Sequence, residues 1–516
     1  MRPDPQSRWG GAALALTAWW SLLAAFLLPP LSYLGYPAYS LEYVTGALLA
    51  LAAGALLSLS RAVPLLHRAL LFFLGSLLVL LYYYGLAAPH GLLAAAIGVV
   101  LAAGFAALLV IDEGIALRVV AAGCLAQIVI AALAVPGEIV DEWDRNLSQS
   151  NRRPVVHILL DSHAGLAAIP QDARYVEAKR TLERRYLSAG FTLFPRAYSA
   201  DDETRASLSR LFNPRAAKVL TGRAGTLTKA AALEQIGRDR ALDITQFDYT
   251  QFDPWLLRYY LDAAAVRVMN ASNHYPGIVR FGASIPDRLT IATAGAIWWT
   301  YLWSGFPAVR WAADHTSGGQ AVLDWIGTAK LSYVYIARGA LIDYRQRIKC
   351  CGQRGTYHFF HTYFPHGPYA FDQHCNAKPV AMWEAPPPLA EPGTAEAYRL
   401  RYEMHLEQAL CASYDVMDIV KEIDRNPDIK DALIIIHGDH GSRIGPGASG
   451  RAELGYDEAN RQRDQRGTFL AIRDGQKPAS VVADDVRIDA VFEALVEADF
   501  ESLDLTRVRR YSDSPY

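Results

Sequence analysis

Only nine of the first 135 residues carry a formal charge: Arg2, Asp4, Arg8, Glu42, Arg61, Arg68, Asp112, Glu113 and Arg118. The other 381 residues hold 45 basic and 48 acidic side chains, the mixture of an ordinary globular domain. A chain divided in this way keeps its first quarter where charge is costly and the rest in water. Crossing the hydrocarbon of a bilayer takes about 20 apolar residues in a helix. Five stretches approach that length: Ala12–Leu34, Leu41–Leu59, Leu65–Leu86, Gly91–Ile111 and Ile115–Val135. Four further spans after the first argue against a cleaved signal peptide. The expected fold class is an α-helical membrane anchor of about five spans plus an α/β sandwich domain. Residues 1–135 form the anchor, 136–154 a linker (DEWDRNLSQSNRRP in its second part), and 155–516 one extracytoplasmic domain.

Orientation follows from the basic residues of short loops. Arg2 and Arg8 precede the first span, Arg61 and Arg68 separate the second from the third, and Arg118 opens the fifth. The loops at 30–40 and 85–91 contain no Lys or Arg. That alternation puts the N-terminus inside and, after five crossings, the globular part outside. The spans hold almost no ionisable group, so they read as an anchor rather than an ion path. A formal net charge of −2 argues against a nucleic-acid partner bound through a general basic field. Of the five cysteines, Cys124 falls in the fifth span and Cys350, Cys351, Cys375 and Cys411 in the globular part. Cys350 and Cys351 are adjacent and are not expected to pair with each other; Cys375 with Cys411 is the expected bridge in a compartment that permits one.

Past residue 154, short apolar runs alternate with helical patterns. Strands are expected at Val155–Leu160, Phe191–Phe194, Tyr357–Tyr363, Ala432–His437 and Thr468–Ile472, and helices near Arg174–Ser188, Ala206–Phe212 and Ala395–Ile423. Uninterrupted apolar runs such as VVHILL and ALIIIH suit strands buried on both faces. Polar groups stand just where three of these strands end: Asp161-Ser162-His163, Gly438-Asp439-His440-Gly441 and, after TYHFFHTY, Pro365-His366-Gly367-Pro368. Open α/β sheets bind ligands beyond the carboxyl ends of their strands. Taken singly, such an Asp is more often a turn or cap residue and such a His a hydrogen-bonded structural one. Together, carboxylates and imidazoles at one sheet end suit a divalent cation with oxygen and nitrogen ligands. Thr204 lies at or beside the start of a helix, where backbone N–H groups favour an anion. Its hydroxyl becomes a nucleophile only if coordination lowers its pKa; otherwise it is a plain cap. Ser199 and Ser207 are the alternative nucleophiles.

The stretches VVHILLDSHAG, AYSADDETRASLSRLFN, HTYFPHGPYAFD and IIIHGDHGSRIG together resemble the sulfatase-like branch of the alkaline phosphatase superfamily. In architecture they are similar to membrane-anchored phosphoethanolamine transferases and lipoteichoic acid synthases. The resemblance spans roughly residues 155–472, and the anchor is similar too. It implies one divalent metal ion (Zn, Mn or Mg) held by Asp161, Thr204, Asp439 and His440, with Thr204 as covalent nucleophile. His361, His366 and Arg443 match residues that hold the donor's anionic group. A lipid donor and a glycan or lipid acceptor are implied as partners, at the bacterial inner (cytoplasmic) membrane with the catalytic domain periplasmic. The chain departs from true sulfatases, having no Cys near Thr204 and no C/S-x-P-x-R motif, and Ser162 stands where relatives often have an acidic residue after the first ligand. A hydrolase of an envelope phosphoester is the alternative reading, and a non-catalytic scaffold a third. The segment Ile297–Ala312, with Trp298, Trp299, Trp303 and Trp311, is either an interfacial helix on the outer leaflet or an aromatic core helix.

Overall fold

The computed structural model describes residues 5–33, 35–63, 65–71, 113–133, 151–213, 236, 240–247, 266–269, 278–293, 333–383, 393–446, 448–475 and 477–512. By contacts the chain forms two compact units. One contains residues 1–137, 271–279 and 284–332; the other contains 138–270, 280–283 and 333–516.

In the first unit, helices run over Pro5–Tyr33, Leu41–Ser58 and Glu113–Leu133. Most of the expected third and fourth spans, and the tryptophan-rich segment 297–312, lie outside the described residues. Among the described residues one helix, Leu41–Ser58, is long and apolar enough to cross a membrane, with mean hydropathy 1.6. Ser40 caps its start by accepting the Tyr43 N–H at 3.2 Å. Glu42, buried in the first turn, receives Arg288 Nε at 2.6 Å. That pairing explains how one of the few charges in the apolar quarter is tolerated: a buried carboxylate needs a cation and a donor at once.

The second unit is built on an eight-stranded sheet. Its strands are β1 (Val155–Leu160), β2 (Thr192–Leu193), β4 (Ala241–Phe247), β5 (Val266–Met269), β6 (Thr356–Thr362), β7 (Leu433–His437), β8 (Leu470–Arg473) and β9 (Ser480–Val481), in the order β5-β4-β6-β1-β7-β8-β2-β9. A separate pair joins β3 (Ala197–Tyr198) to β10 (Val486–Arg487). From β5 to β7 every neighbour is parallel, and β8 turns antiparallel. Strands β1, β6 and β7 are buried at every position, as their continuous apolar runs require.

Alternation along the strands feeds two cores. On one face Val155, Leu159, Tyr357, Phe359, Leu433 and Ile435 pack with Leu208, Leu211 and Phe212 of helix Thr204–Phe212 and with Val491, Phe492 and Leu495 of helix Ile488–Glu497. On the other, helix Tyr333–Cys351 covers the sheet, with Tyr344 stacked on Phe360 at 4.4 Å. The long helix Ala395–Arg425 packs beside it. The expected strands and helices are all present to within a few residues of their ends. Strands β4 and β5 and helices Tyr333–Cys351 and Ile488–Glu497 are additional. β4 was hidden because it buries a charge: Asp243 takes Arg347 Nε at 2.8 Å and His358 Nδ1 at 2.8 Å. Burial alone would raise that carboxyl, but His358 and Arg347 together hold it at about 2.

Helix Ala395–Arg425 also fixes the turn after β6. Buried Gln408 donates Nε2 to the carbonyls of Pro365, His366 and Pro368 at 3.0, 3.0 and 3.1 Å, and accepts the Phe371 N–H at 3.2 Å. One helical turn on, Cys411 is bonded to Cys375, the pair expected from sequence, with Cα atoms 5.0 Å apart. Cys350 is also disulfide-bonded, which the single bridge expected from sequence did not include. In the chain-entropy picture, opening the Cys375–Cys411 loop, whose ends are 36 residues apart, costs about 4 kcal/mol. Cys375→Ser with Cys411→Ser should therefore lower the melting temperature of the globular unit by several degrees; an unchanged melt under oxidising conditions would contradict this.

Candidate metal centre

Strands β1 and β7 lie side by side and parallel, Leu159 opposite His437, so the residues that follow them meet at one end of the sheet. Asp161 and the pair Asp439-His440 converge there, with a ligand atom from each within 4.8 Å of the others and all three buried. Gly438 and Gly441 permit this crowding. A Cβ at Gly438 would stand 2.7 Å from the His163 carbonyl, and one at Gly441 would collide with the Asp464 carbonyl. Thr204 enters from the helix Thr204–Phe212. Glu203, not Thr204, is the N-cap, in extended backbone with no side-chain cap bond, so Thr204 opens the first turn.

His440 defines the centre. Its Nδ1 lies 2.8 Å from the Gly441 carbonyl, which can only accept, so the proton sits on Nδ1 and a lone pair on Nε2 faces inward. Around that nitrogen stand Thr204 Oγ1 at 3.3 Å, Asp439 Oδ2 at 3.4 Å and Asp161 Oδ1 at 3.5 Å. Asp439 Oδ2 is buried without a hydrogen-bond partner. Protons of Asp161 and Thr204 can ease the crowding of these acceptors, and a cation among them would let all four turn a lone pair to it. Four ligands about 2.1 Å from one ion at tetrahedral angles stand about 3.4 Å apart. The residues present therefore fit a divalent cation, and the four side chains that the resemblance implied as ligands lie near one another here.

The remaining contacts orient these ligands, as surrounding hydrogen bonds do at metal sites. Ser162 has φ +58°, in the left-handed region, which turns its N–H onto Asp439 Oδ1 at 2.9 Å while its hydroxyl donates to Asp161 Oδ1 at 3.1 Å. The His440 N–H also donates to Asp439 Oδ1, at 3.0 Å. Ser162, read from sequence only as a departure from related chains, thus ties the two aspartates together. Burial would raise the Asp439 carboxyl, but His440, the Ser162 N–H and the Thr204 hydroxyl hold it at about 2. Asp161, with fewer donors, is pushed well above the usual carboxylate range by burial and by Asp439. Burial lowers His440 below the ordinary imidazole value.

A carboxyl raised by folding stabilises the fold while protonated. That contribution is whole below its ordinary pKa and fades as pH rises through the raised one. Asp439, held low, loses its share only as pH falls toward about 2. Metal-free protein should lose stability as pH climbs above the ordinary carboxylate range, and Asp161→Asn should flatten that slope. Metal uptake should expel the Asp161 proton, so its calorimetric enthalpy should vary with the ionisation heat of the buffer. A buffer-independent enthalpy would contradict the assignment.

His361, at the end of β6, is buried with both ring nitrogens unpartnered. Burial lowers it to about 4, with Asp439 and His437 near enough to act on it. His366 is lowered by burial to about 3 and feels His440, Arg443 and Asp439. Its Nδ1 proton is committed to the Gly367 carbonyl at 2.6 Å, and its Nε2 faces the Tyr363 hydroxyl at 3.1 Å. Arg443, at φ +53°, is exposed, reaches the Asp202 carbonyl at 3.0 Å and acts electrostatically on Asp161. Tyr363 is a neighbour of the site that sequence reasoning missed, since nothing in its spacing marks it. The alternative nucleophiles are otherwise engaged: Ser199 and Ser207 both donate to the Asp201 carbonyl, at 2.5 and 2.8 Å, bracing the loop that leads to Thr204.

No protein-family model and no curated protein sequence matches the chain. Among solved structures it is similar to a phosphonate monoester hydrolase from Silicibacter pomeroyi, at 14% identity and TM-score 0.40, over 70% of this chain and 78% of that one. It is similar to the C-terminal periplasmic domain of EcEptC from Escherichia coli in complex with Zn, at 10% identity and TM-score 0.39, over 70% and 86%. It is similar also to the soluble domain of lipooligosaccharide phosphoethanolamine transferase A from Neisseria meningitidis, at 12% identity and TM-score 0.38, over 70% and 92%.

Proposed function

We propose that the chain is a metal-dependent transferase that moves a phospho-substituent, of phosphoethanolamine or phosphoglycerol type, from a lipid donor to an envelope glycan or lipid. The observation that carries this reading is one hydroxyl, Thr204 Oγ1, set 3.3 Å from His440 Nε2 among two buried carboxylates at the start of a helix. Asp161, Asp439, His440 and Thr204 would hold the cation, and the separations around His440 favour four-coordinate zinc. When bound, the ion supplies charge neutralisation and a lowered pKa at the coordinated hydroxyl. Thr204 Oγ1 bonds to phosphorus as the bond from phosphorus to the donor's alcohol oxygen breaks, and the Thr204 proton goes to that departing oxygen. The acceptor hydroxyl then displaces Oγ1 from phosphorus and returns a proton to Thr204. The first-turn N–H groups of helix Thr204–Phe212 favour the anionic group, and Arg443 adds positive charge beside it. His361, whose ring nitrogens are both unpartnered, and His366 would hold the donor's anionic group.

The anchor belongs to the same reading. About five spans hold the globular unit at the outer face of the bacterial inner membrane, in the periplasm, within reach of a lipid donor. The outward leucines of helix Leu41–Ser58 support this, Leu48 being 60% and Leu56 70% exposed. Purified full-length protein incubated with headgroup-labelled phosphatidylethanolamine or phosphatidylglycerol should carry the label on a Thr204 peptide and pass it to a lipid or glycan acceptor. Release of soluble headgroup at the same rate with and without acceptor would favour the hydrolase instead. No label on the protein and none released would overturn both.

A further inference from the structure

Behind the metal centre, the face of the sheet that packs on helix Ile488–Glu497 carries a line of polar side chains that the transfer steps do not use. Tyr357 of β6, His157 of β1 and His437 of β7 are at most 1% exposed. The Tyr357 hydroxyl is 2.5 Å from His157 Nδ1, His157 Nε2 is 2.6 Å from His437 Nε2, and His437 Nδ1 is 2.7 Å from the Gly438 carbonyl oxygen. Three strands contribute to this chain, and it is walled by Phe359 and Phe492, whose rings lie 5.0 and 5.7 Å from His157.

Hydrogen-bond chemistry allows these neutral groups one arrangement of protons. The Gly438 carbonyl can only accept, so His437 carries its proton on Nδ1 and offers a lone pair at Nε2. His157 must then donate from Nε2, which leaves its Nδ1 to accept from Tyr357. Every polar atom along the line is satisfied, and reversing any one link would set two lone pairs or two protons against each other in an apolar interior. The line ends on a consequential atom. The Gly438 carbonyl belongs to the peptide unit whose nitrogen is that of Asp439. The preceding peptide is pinned by the Gly438 N–H donating to the Phe469 carbonyl at 3.0 Å.

We propose that Tyr357, His157 and His437 are positioning residues for the metal centre: their proton-ordered chain sets the Gly438–Asp439 peptide and so the aim of the Asp439 carboxylate. This rests on reading Asp161, Asp439 and His440 as metal ligands. Groups hydrogen-bonded directly to a metal's ligands typically govern 10–100-fold in affinity, and this chain acts one peptide further back. The test titrates Co²⁺ into the detergent-solubilised full-length protein and follows its visible absorption, comparing wild type with His157→Phe and Tyr357→Phe. Expected are Co²⁺ affinities measurably weaker, by up to about tenfold, and a changed band shape in both variants. Variants that melt earlier yet bind Co²⁺ with wild-type affinity and spectrum would overturn the proposal, because the chain would then only pack. If His157→Phe does not fold, Tyr357→Phe decides alone, since it removes one oxygen and keeps the ring. Wild-type protein that binds no Co²⁺ would sink the metal reading and the proposal with it, whereas binding by wild type with unaffected variants sinks the proposal only. Nitrogen-15 spectra of the histidines add a direct reading: His437 protonated at Nδ1 and His157 at Nε2 are expected, and either opposite tautomer would overturn the proposed order.

Discussion

Thr204→Ala should leave a folded, metal-loaded protein with no transfer activity. The side chain is half-buried at the opening of a helix whose cap is Glu203, so its loss removes about one hydrogen bond, roughly 1 kcal/mol. Three stronger donors, from Asp161, Asp439 and His440, remain to hold the cation. Turnover, by contrast, needs the oxygen that bonds to phosphorus, and removing a nucleophile costs on the order of 10⁴-fold or more. Thr204→Ser keeps an oxygen at the same place and should retain measurable label transfer. Activity of Thr204→Ala within tenfold of wild type would move the nucleophile elsewhere, although Ser199 and Ser207 are both committed to the Asp201 carbonyl.

Asp439→Asn should abolish metal binding while leaving the metal-free protein folded, somewhat less stable at neutral pH for want of the depressed carboxylate. One oxygen of Asp439 already accepts two backbone N–H groups, from Ser162 and His440, and an amide oxygen can take over that role. The other oxygen has no partner and faces the His440 lone pair. An amide nitrogen there brings N–H donors and no charge. Because partners one shell further out already govern 10–100-fold in affinity, loss of the ligand itself should exceed 100-fold. Wild-type protein in metal at 100 times its dissociation constant gains about 2.7 kcal/mol of stability, and the variant should gain none of it. Thermal melts with and without added Zn²⁺ measure this. Equal metal-induced shifts in both proteins would rule out Asp439 as a ligand.

What could be read in the chain and what could not divides along physical lines. Strands β1 and β7 announce themselves as apolar runs long enough for a doubly covered sheet, and a short motif follows each within a residue or two. Parallel neighbours necessarily bring those motifs together, which is why a cation site could be expected at this end of the sheet, while the individual ligands came from the resemblance. Thr204 was legible as a helix start, though one residue past the cap. Strand β4 was not, because its Asp243 reads as surface and is satisfied only by Arg347 and His358, over 100 residues away. The same reason conceals Glu42, whose partner Arg288 lies 246 positions on. Ser162 looked like a mere departure, since a residue that ties two aspartates together, one through its N–H and one through its hydroxyl, has no signature in residue type. The Tyr357–His157–His437 line was likewise invisible: in sequence each member is an ordinary occupant of an apolar strand, and only the register sets them in hydrogen-bonding distance.

The most direct check is anomalous diffraction from crystals grown with Zn²⁺ or Mn²⁺. One strong peak, about 2.0–2.2 Å from oxygens of Asp161 and Asp439 and from His440 Nε2, with Thr204 Oγ1 completing the set, is the predicted result. A peak at some other cluster, or none at this end of the sheet under saturating metal, would contradict it.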